Sequence, residues 1–575
     1  MPLRLDITIK KALLQVITKL YPDAKVDFTV EHPEVEERGD YASNVAMVLA
    51  RQVKQAPMVV AERIVEILKQ ESLPEVASIE ALKPGFINFR LADSFLYDAV
   101  AEIEQKGDAF GNSQALAGQK ILIEFGQPNT HKMPHIGHLF SYLYGESCAR
   151  LLGAAGAEVK KANYQGDVGL HVAKCLWAYQ NTETEQAPAT LEDKVTYLQQ
   201  CYQQGSKAYE DSQIAHAEID HLNDKIYHRA EDIRPLWEQT REWSLSYYRQ
   251  FESSLGITYD KHYFESQVAA VGLETVKQNV GQVFEASEGA IVFKGEPFGL
   301  HTRVFVNHFG NPTYEAKDLG LMSAKKADWP GYQLVITTAT EQNDYWRILT
   351  LVGEKAFPDL IGKIRHLGFG MISLTSGKMS SREGTIVTAF DLVRLVTEKV
   401  QAFLDANRAD YSSEEKQTIT RPVALAAIIY SYLKKGPSKN LVFDIDSSIA
   451  FDGNSGPYLQ YAYARCQSVL AKAREAGYDI SLRRPTTVSS EESSLMRWLY
   501  QYPEVVSQAA EQYAPQLLCT YLYELAQRYS LFYDRQKMLI EDRDVAAFRL
   551  SLAQASGQVL KNGLNLLGIS VLDKI

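Results

Sequence analysis

The stretch ILIEFGQPNTHKMPHIGHLF, Ile121 to Phe140, decides the fold. Its first five residues, Ile121 to Phe125, form a short apolar run with the character of a buried strand. A loop containing Gly126, Pro128 and Asn129 follows, and from about Ile136 to Leu152 the apolar spacing predicts a helix. Strand, polar loop, helix is the opening of a nucleotide-binding α/β unit. Further strand-like runs at 290–294, 303–308, 333–339 and 369–374, with helix-like stretches between them, predict a mainly parallel sheet.

Outward from this unit the chain divides into three domains. Residues 1–110 read as a small α+β domain: GDYASNVAMVLARQV and MVVAERIVEILKQE carry helical spacing, FINFRL reads as a strand, and Phe110 to Gly118 as a linker. Residues 118–405 hold the Rossmann-like parallel sheet. Within it, the polar, helix-forming segment at about 180–260 reads as a helical insertion. Its aromatics Tyr202, Tyr209, Trp237, Trp243 and Tyr247 fit helix packing better than stacking on RNA bases. Residues 406–575 read as almost wholly helical, broken at 483–494.

The chain has 575 residues, 46% apolar and 23% charged, enough for several full cores without disulfides or a structural metal. The five cysteines, Cys148, Cys175, Cys201, Cys466 and Cys519, form no CxxC pair and no zinc-site spacing, which suits a reducing compartment. The N-terminal MPLRLDITIKKALL mixes charge and apolar residues too soon for a signal peptide. The longest apolar run, Pro422 to Leu433, falls short of the about 20 residues a bilayer requires. These features predict a cytoplasmic protein. The net charge of −11 argues against indiscriminate coating of nucleic acid but leaves local basic patches open.

Two motifs carry chemistry. His135-Ile136-Gly137-His138 opens the predicted helix. Its imidazoles share one helix face, Gly137 lets a flat base approach the backbone, and the helix N-terminus favours phosphate. Zinc-binding helices space histidines at i, i+4 with a glutamate, which is absent here. The second motif, Lys378-Met379-Ser380-Ser381, lies in a polar segment after a predicted strand. A mobile lysine there can stabilise charge developing on a triphosphate.

These motifs, in this order at opposite ends of one α/β domain and followed by a helical domain, resemble the class I aminoacyl-tRNA synthetases. Glu124-Phe125-Gly126-Gln127-Pro128-Asn129-Thr130-His131-Lys132 is similar to the E-F-x-x-P-N-x-x-K stretch of the arginyl-tRNA synthetases. GDVGLH (166–171), Tyr314-Glu315-Ala316-Lys317-Asp318, FDGNSGPYLQYAYAR (451–465), GDYASN and PGFINF also resemble elements of that family. The resemblance implies ATP-dependent activation of L-arginine, with Mg²⁺ accompanying the nucleotide. It further implies transfer of the arginine to the 2′-hydroxyl of the terminal adenosine of tRNA(Arg), tRNA being needed for the first step, by a monomer.

By the same resemblance His135, Gly137, His138 and Lys378 to Ser381 contact ATP. Glu124, Asn129, Tyr314, Asp318 and Gln342 contact arginine, and Lys132 shares phosphate neutralisation with Lys378. Chemistry supports the carboxylates, because a planar guanidinium with five donors needs acceptors in its plane. The family's tRNA contacts fall on Phe86 and Asn88 in the N-terminal domain and on Tyr458, Tyr461 and Arg465 in the helical, anticodon-binding domain. The last three share one helix face at i, i+3, i+7, which fits base stacking and a plain helix interface equally. The chain departs from the family at Gly126-Gln127 (Ser-Ser), Phe140 (Arg), Val168 (Trp) and Lys317 (Arg).

Overall fold

The computed structural model describes residues 4–182, 189–375 and 388–575. Five parallel strands, β1 (Lys120–Glu124), β2 (Glu158–Gln165), β3 (Lys261–Phe264), β4 (Gln333–Ala339) and β5 (Ile364–Phe369), lie in the order β5-β4-β1-β2-β3. The central strand β1 is buried on both faces. Ile121 and Ile123 enter one core, which includes the helix that follows, and Leu122 enters the other. The strand order reverses between β1 and β4, the point at which open α/β sheets leave a crevice.

Two of the expected strands lie elsewhere. Ala290–Phe293 and Arg303–Val306 pair antiparallel, with Glu285–Ser287, in a separate three-stranded sheet. Only residues 294–302 connect them, and a parallel crossover needs a dozen residues or more. The 369–374 run also splits: Phe369 ends β5, and Ile372–Leu374 pairs with Leu441–Phe443. Their places in the main sheet are taken by β2 and β3. Strand β2 reads as polar because it carries Lys160 and Lys161, whose ammonium groups pair with Asp260 and Glu146.

The helices that matter below are α1 (Ile136–Ala154), α2 (Leu191–Asp211), α3 (Gln213–Tyr227), α4 (Arg234–Ser254), α5 (Tyr314–Asp328), α6 (Gly456–Glu475) and α7 (Pro515–Arg535). Helices α2 to α4 are the expected insertion. Its aromatics pack internally: Trp237 and Tyr247 are buried, Tyr209 stacks on His216, Lys194 lies over Trp243, and Lys132 lies over Tyr202. All five cysteines are buried and free. Among the described residues no helix is long and apolar enough to cross a membrane.

The N-terminal domain is an antiparallel sheet in the order Val30–Glu31, Tyr41–Ser43, Phe86–Leu91, Val76–Leu82 with, among the described residues, four α-helices, Leu5–Leu20, Val45–Val53, Pro57–Leu68 and Asp93–Lys106. It docks on the C-terminal helices through buried charge. Asp40 pairs with Arg497 and accepts the Leu91 N–H at 2.7 Å. Glu504 accepts from the Tyr41 hydroxyl at 2.6 Å and lies 3.0 Å from His32 Nε2. Burial pulls the His32 pKa down, but the hydrogen bond and charge of Glu504 outweigh it and the net shift is upward.

Removing one member of a buried ion pair leaves the other charge uncompensated, which costs about 3–5 kcal/mol. Arg497→Met is therefore expected to lower stability by about 3 kcal/mol in urea unfolding, and Asp40→Asn added to it to recover part of that loss. An Arg497→Met protein as stable as the wild type would show that this pair does not hold the docking.

Candidate active site

A cleft of about 1260 Å³ opens at the carboxyl ends of the parallel strands. Glu124, Asn129, Lys132, His135, Gly137, His138, Tyr314, Asp318 and Gln342 all line it, so sequence positions more than two hundred residues apart converge on one site. Lys378, Met379, Ser380 and Ser381 lie outside the described residues. The chain on either side of them is at the cleft: Leu374 lines its wall, Thr388 bridges to His135, and the Ala389 N–H donates to the Pro134 carbonyl at 2.7 Å.

His135 and His138 cap α1 reciprocally. The Gly137 N–H donates to His135 Nδ1 at 3.0 Å and the His135 N–H donates to His138 Nδ1 at 3.2 Å. Desolvation, followed by the charge of Lys132, lowers the His135 pKa. His138 falls well below the ordinary value through desolvation, then His135 and Lys132. Both rings are therefore neutral near pH 7 with Nδ1 accepting, which puts the remaining proton on Nε2. Two Nε2–H donors at a helix N-terminus suit phosphate oxygens. Gly137 leaves room for the cap itself, because a Cβ there would come within 2.8 Å of the His135 ring.

The acidic end of the cleft is partly neutralised from within. Glu124 is buried, pairs with Lys325 of α5, and accepts from Gln127 Nε2 at 2.7 Å. Glu265, immediately after β3, pairs with Lys317 at 3.3 Å. Burial raises the Glu265 pKa, partly offset by Lys317. Lys317 also donates to the Tyr227 hydroxyl at 2.6 Å and lies 4.7 Å from the centre of the Tyr314 ring. Asp318 differs. Among the described residues no cation lies within ion-pair distance of it, and it accepts from the Tyr345 hydroxyl. Burial drives its pKa up to about 7, opposed by the Tyr345 bond and the more distant charge of Lys325 and reinforced by the charges of Glu124 and Glu265. Of the three carboxylates at this end of the cleft, Glu124, Glu265 and Asp318, the last has no ion-pair partner among the described residues.

The departures from the family have local causes. At Gly126 a Cβ would meet the Tyr142 ring at 2.7 Å and the Tyr259 hydroxyl at 2.8 Å, and φ is +95°, so serine does not fit. Gln127 adopts φ 55°, held by its N–H to Asn163 Oδ1 at 2.9 Å. Phe140 is buried against Phe369 and Tyr432, a setting with no place for a guanidinium. Val168 shares a core cluster with Trp237 of α4, whose indole N–H donates to the Asp167 carbonyl at 2.8 Å, so an indole is present from another element.

Sequence reasoning missed Lys325, Glu265 and Tyr345. Lys325 falls seven residues after Asp318, on the same face of α5, and Glu265 directly follows a strand that went unrecognised. Of the remaining candidates, Phe86 is exposed at the start of its strand. Asn88 is buried and its amide donates to the Arg38 carbonyl at 2.6 Å. Tyr458, Tyr461 and Arg465 lie half-buried on α6. There the Arg465 guanidinium sits 5.0 Å from the Tyr461 ring and 5.1 Å from that of Tyr533 on α7.

A parallel sheet with capping histidines at its switch point, and a helical domain behind it, defines a class I tRNA synthetase. The family model for the class I (R) catalytic domain matches residues 100–445. Those for the arginyl-tRNA synthetase N-terminal domain and the DALR anticodon binding domain match 7–91 and 459–575. The chain belongs to the arginyl-tRNA synthetase family. It is 29% identical to the arginine–tRNA ligase of Treponema pallidum, over 98% of this chain and 99% of the relative. It is 30% identical to that of Flavobacterium psychrophilum, over 87% of each. Its fold matches the Thermus thermophilus arginyl-tRNA synthetase with a TM-score of 0.82 at 24% identity, covering 99% of this chain and 100% of that one.

Gly137→Ala tests the histidine cap. Alanine is the better helix former by about 1 kcal/mol, so stability is expected to hold or rise. Nucleotide affinity is expected to fall by about 10- to 100-fold, the equivalent of one hydrogen bond to a charged group. Unchanged nucleotide affinity, read by equilibrium titration, would remove His135 from the site.

Proposed function

We propose that this chain activates L-arginine with ATP and transfers it to the 3′-terminal adenosine of tRNA(Arg). The observation that carries the reading is Asp318, a half-buried carboxylate with no cation within ion-pair distance among the described residues, in the same cleft as two histidines that offer N–H donors at a helix N-terminus. Asp318 receives the guanidinium, with Glu124 and the Tyr314 ring beside it. Asn129 and Gln342 hold the α-amino and carboxylate end. The Nε2–H groups of His135 and His138 donate to the phosphates, and Lys132 and Lys378 neutralise charge as the α-phosphorus becomes five-coordinate. Mg²⁺ bound to the triphosphate supplies further charge neutralisation. The histidines, with Nε2 protonated, serve phosphate oxygens rather than the metal.

The arginine carboxylate attacks the α-phosphorus in line and pyrophosphate leaves; the ribose 2′-hydroxyl then attacks the activated carbonyl, forming the ester and releasing AMP and the hydroxyl proton. The protein contributes position and charge rather than a covalent intermediate. Tyr458, Tyr461 and Arg465 offer the anticodon two aromatic faces and a cation, and Phe86 offers an exposed ring to the tRNA body.

Charging of total tRNA with each amino acid in turn is expected to give arginine alone, and His138→Ala and Lys378→Ala to abolish it. Full-rate charging by both variants would overturn the assignment. The Asp318 pKa adds a pH test. The carboxylate binds the guanidinium when ionised, which at a pKa of about 7 is the minor form at pH 6 and the major form at pH 8. Raising the pH through that range is therefore expected to lower the KM for arginine by about tenfold. In Asp318→Asn this dependence is expected to vanish and KM to rise by about 100-fold. A pH-independent wild-type KM would displace Asp318 from the guanidinium.

A further inference from the structure

The loop that carries Asn129 and Lys132 into the cleft is hung from the helical insertion. Thr240, Ser244 and Tyr248 stand at i, i+4 and i+8 on α4, a single polar stripe on one helix face. Thr240 and Ser244 are fully buried and Tyr248 nearly so, a setting in which polar groups are costly unless bonded. Each of the three meets the loop. The Tyr248 hydroxyl lies 2.6 Å from both the Asn129 and the Lys132 carbonyl oxygens, a bifurcated bond. Ser244 Oγ accepts the His131 N–H at 3.0 Å, and Thr240 Oγ1 lies 2.8 Å from His131 Nε2.

His131 joins the stripe to the loop through both ring nitrogens. It is wholly buried, and desolvation, then the charge of Arg241, takes its pKa down to about 3. The ring is neutral. Its Nε2 lies 2.8 Å from Thr240 Oγ1 and its Nδ1 2.9 Å from Thr130 Oγ1, and each hydroxyl also reaches a backbone carbonyl, that of Leu236 at 2.8 Å and that of Gly166 at 3.1 Å. His131 also sits at φ 62°, a left-handed conformation that a non-glycine residue holds only when its surroundings fix it. Helix α2 adds a further tie, Gln199 Oε1 accepting the Met133 N–H at 2.8 Å.

We infer that the polar stripe Thr240–Ser244–Tyr248, acting through His131 and the loop carbonyls, is the device that sets the position of Lys132 in the phosphate site. The inference rests on the role given to Lys132 above. These are positioning residues: none lines the cleft, and each acts through a backbone or ring atom of the loop. The insertion thus belongs to the catalytic apparatus as the template of one of its walls.

The test is a double-mutant cycle between Tyr248→Phe and Lys132→Met on the full-length enzyme, read by arginine-dependent ATP–pyrophosphate exchange with tRNA present. Phenylalanine keeps the ring, so the fold is expected to persist by circular dichroism, while the two carbonyls lose their donor. Tyr248→Phe is expected to lower kcat about tenfold with the KM for ATP changed less than twofold. In the Lys132→Met background it is expected to cause no further loss. Ser244→Ala is expected to act in the same direction more weakly.

A Tyr248→Phe kcat within twofold of the wild type overturns the inference. So does an equal loss in both backgrounds, which would mark the hydroxyl as a general prop of the fold. A silent Lys132→Met in an active enzyme removes both the phosphate role of Lys132 and the inference. A wild type that supports exchange with another amino acid, and none with arginine, sinks the functional reading while the cycle, run with that amino acid, still decides the positioning role.

Discussion

Between Phe125 and Pro134 the chain crosses the interior of the catalytic domain without regular secondary structure, and its buried N–H and C=O groups must find partners. A loop of this kind cannot satisfy itself. Here the partners come from three directions: Asn163 and Gly166 from β2 and its continuation, Gln199 from α2, and the α4 stripe. The rest of the site follows from this constraint. The segment that delivers Asn129, Lys132 and the capping histidines has a defined path only because the sheet, the insertion and the first helix are all assembled around it.

Charge in the cleft obeys a comparable economy. Three carboxylates near one another cannot all remain ionised in a dry site without compensation. Lys325 and Lys317 answer two of them, and the third stands ready for a cation from outside. A neutral ligand of similar shape would leave Asp318 either protonated or unpaired, and a second positive charge would find Glu124 and Glu265 already engaged. On the function proposed above, selectivity for a monocationic side chain resides in the resident lysines as much as in the acids. Replacement of arginine by Lys317 keeps that balance while letting a single ammonium group reach Tyr227 of α3 and Glu265 together.

Much of this was legible in the sequence where short-range signals suffice. Strand β1, the start of α1, the helical insertion and the C-terminal helices follow from apolar spacing alone. The residues that enter the cleft from motifs, Glu124 to His138 and Tyr314 to Asp318, were found because they are contiguous. Strands β2 and β3 were not, because Lys160, Lys161 and Lys261 hide a buried strand behind charges that pair with Asp260, Glu146 and Asp328 across space. The hairpin at 290–306 was misplaced because a run of β-formers does not reveal its partner. Thr240, Ser244 and Tyr248 look like ordinary polar residues on a polar helix, and their purpose depends on a loop more than a hundred residues upstream.

Helix α1 runs 19 residues, about 28 Å at the usual rise. Its near end is the histidine cap. Farther along, Tyr144 donates to the Tyr513 carbonyl, Ser147 to that of Leu566 and Arg150 to that of Asn565. The helix is therefore held by the C-terminal helices along much of its length, from Phe140 to Arg150, with its histidine cap at the cleft. A tilt of about 5° about the far end of a helix this long would move the cap by roughly 2.5 Å, about the length of a hydrogen bond. The contacts that seat this helix on the C-terminal domain are thus also the contacts that keep the two imidazoles in register with the cleft.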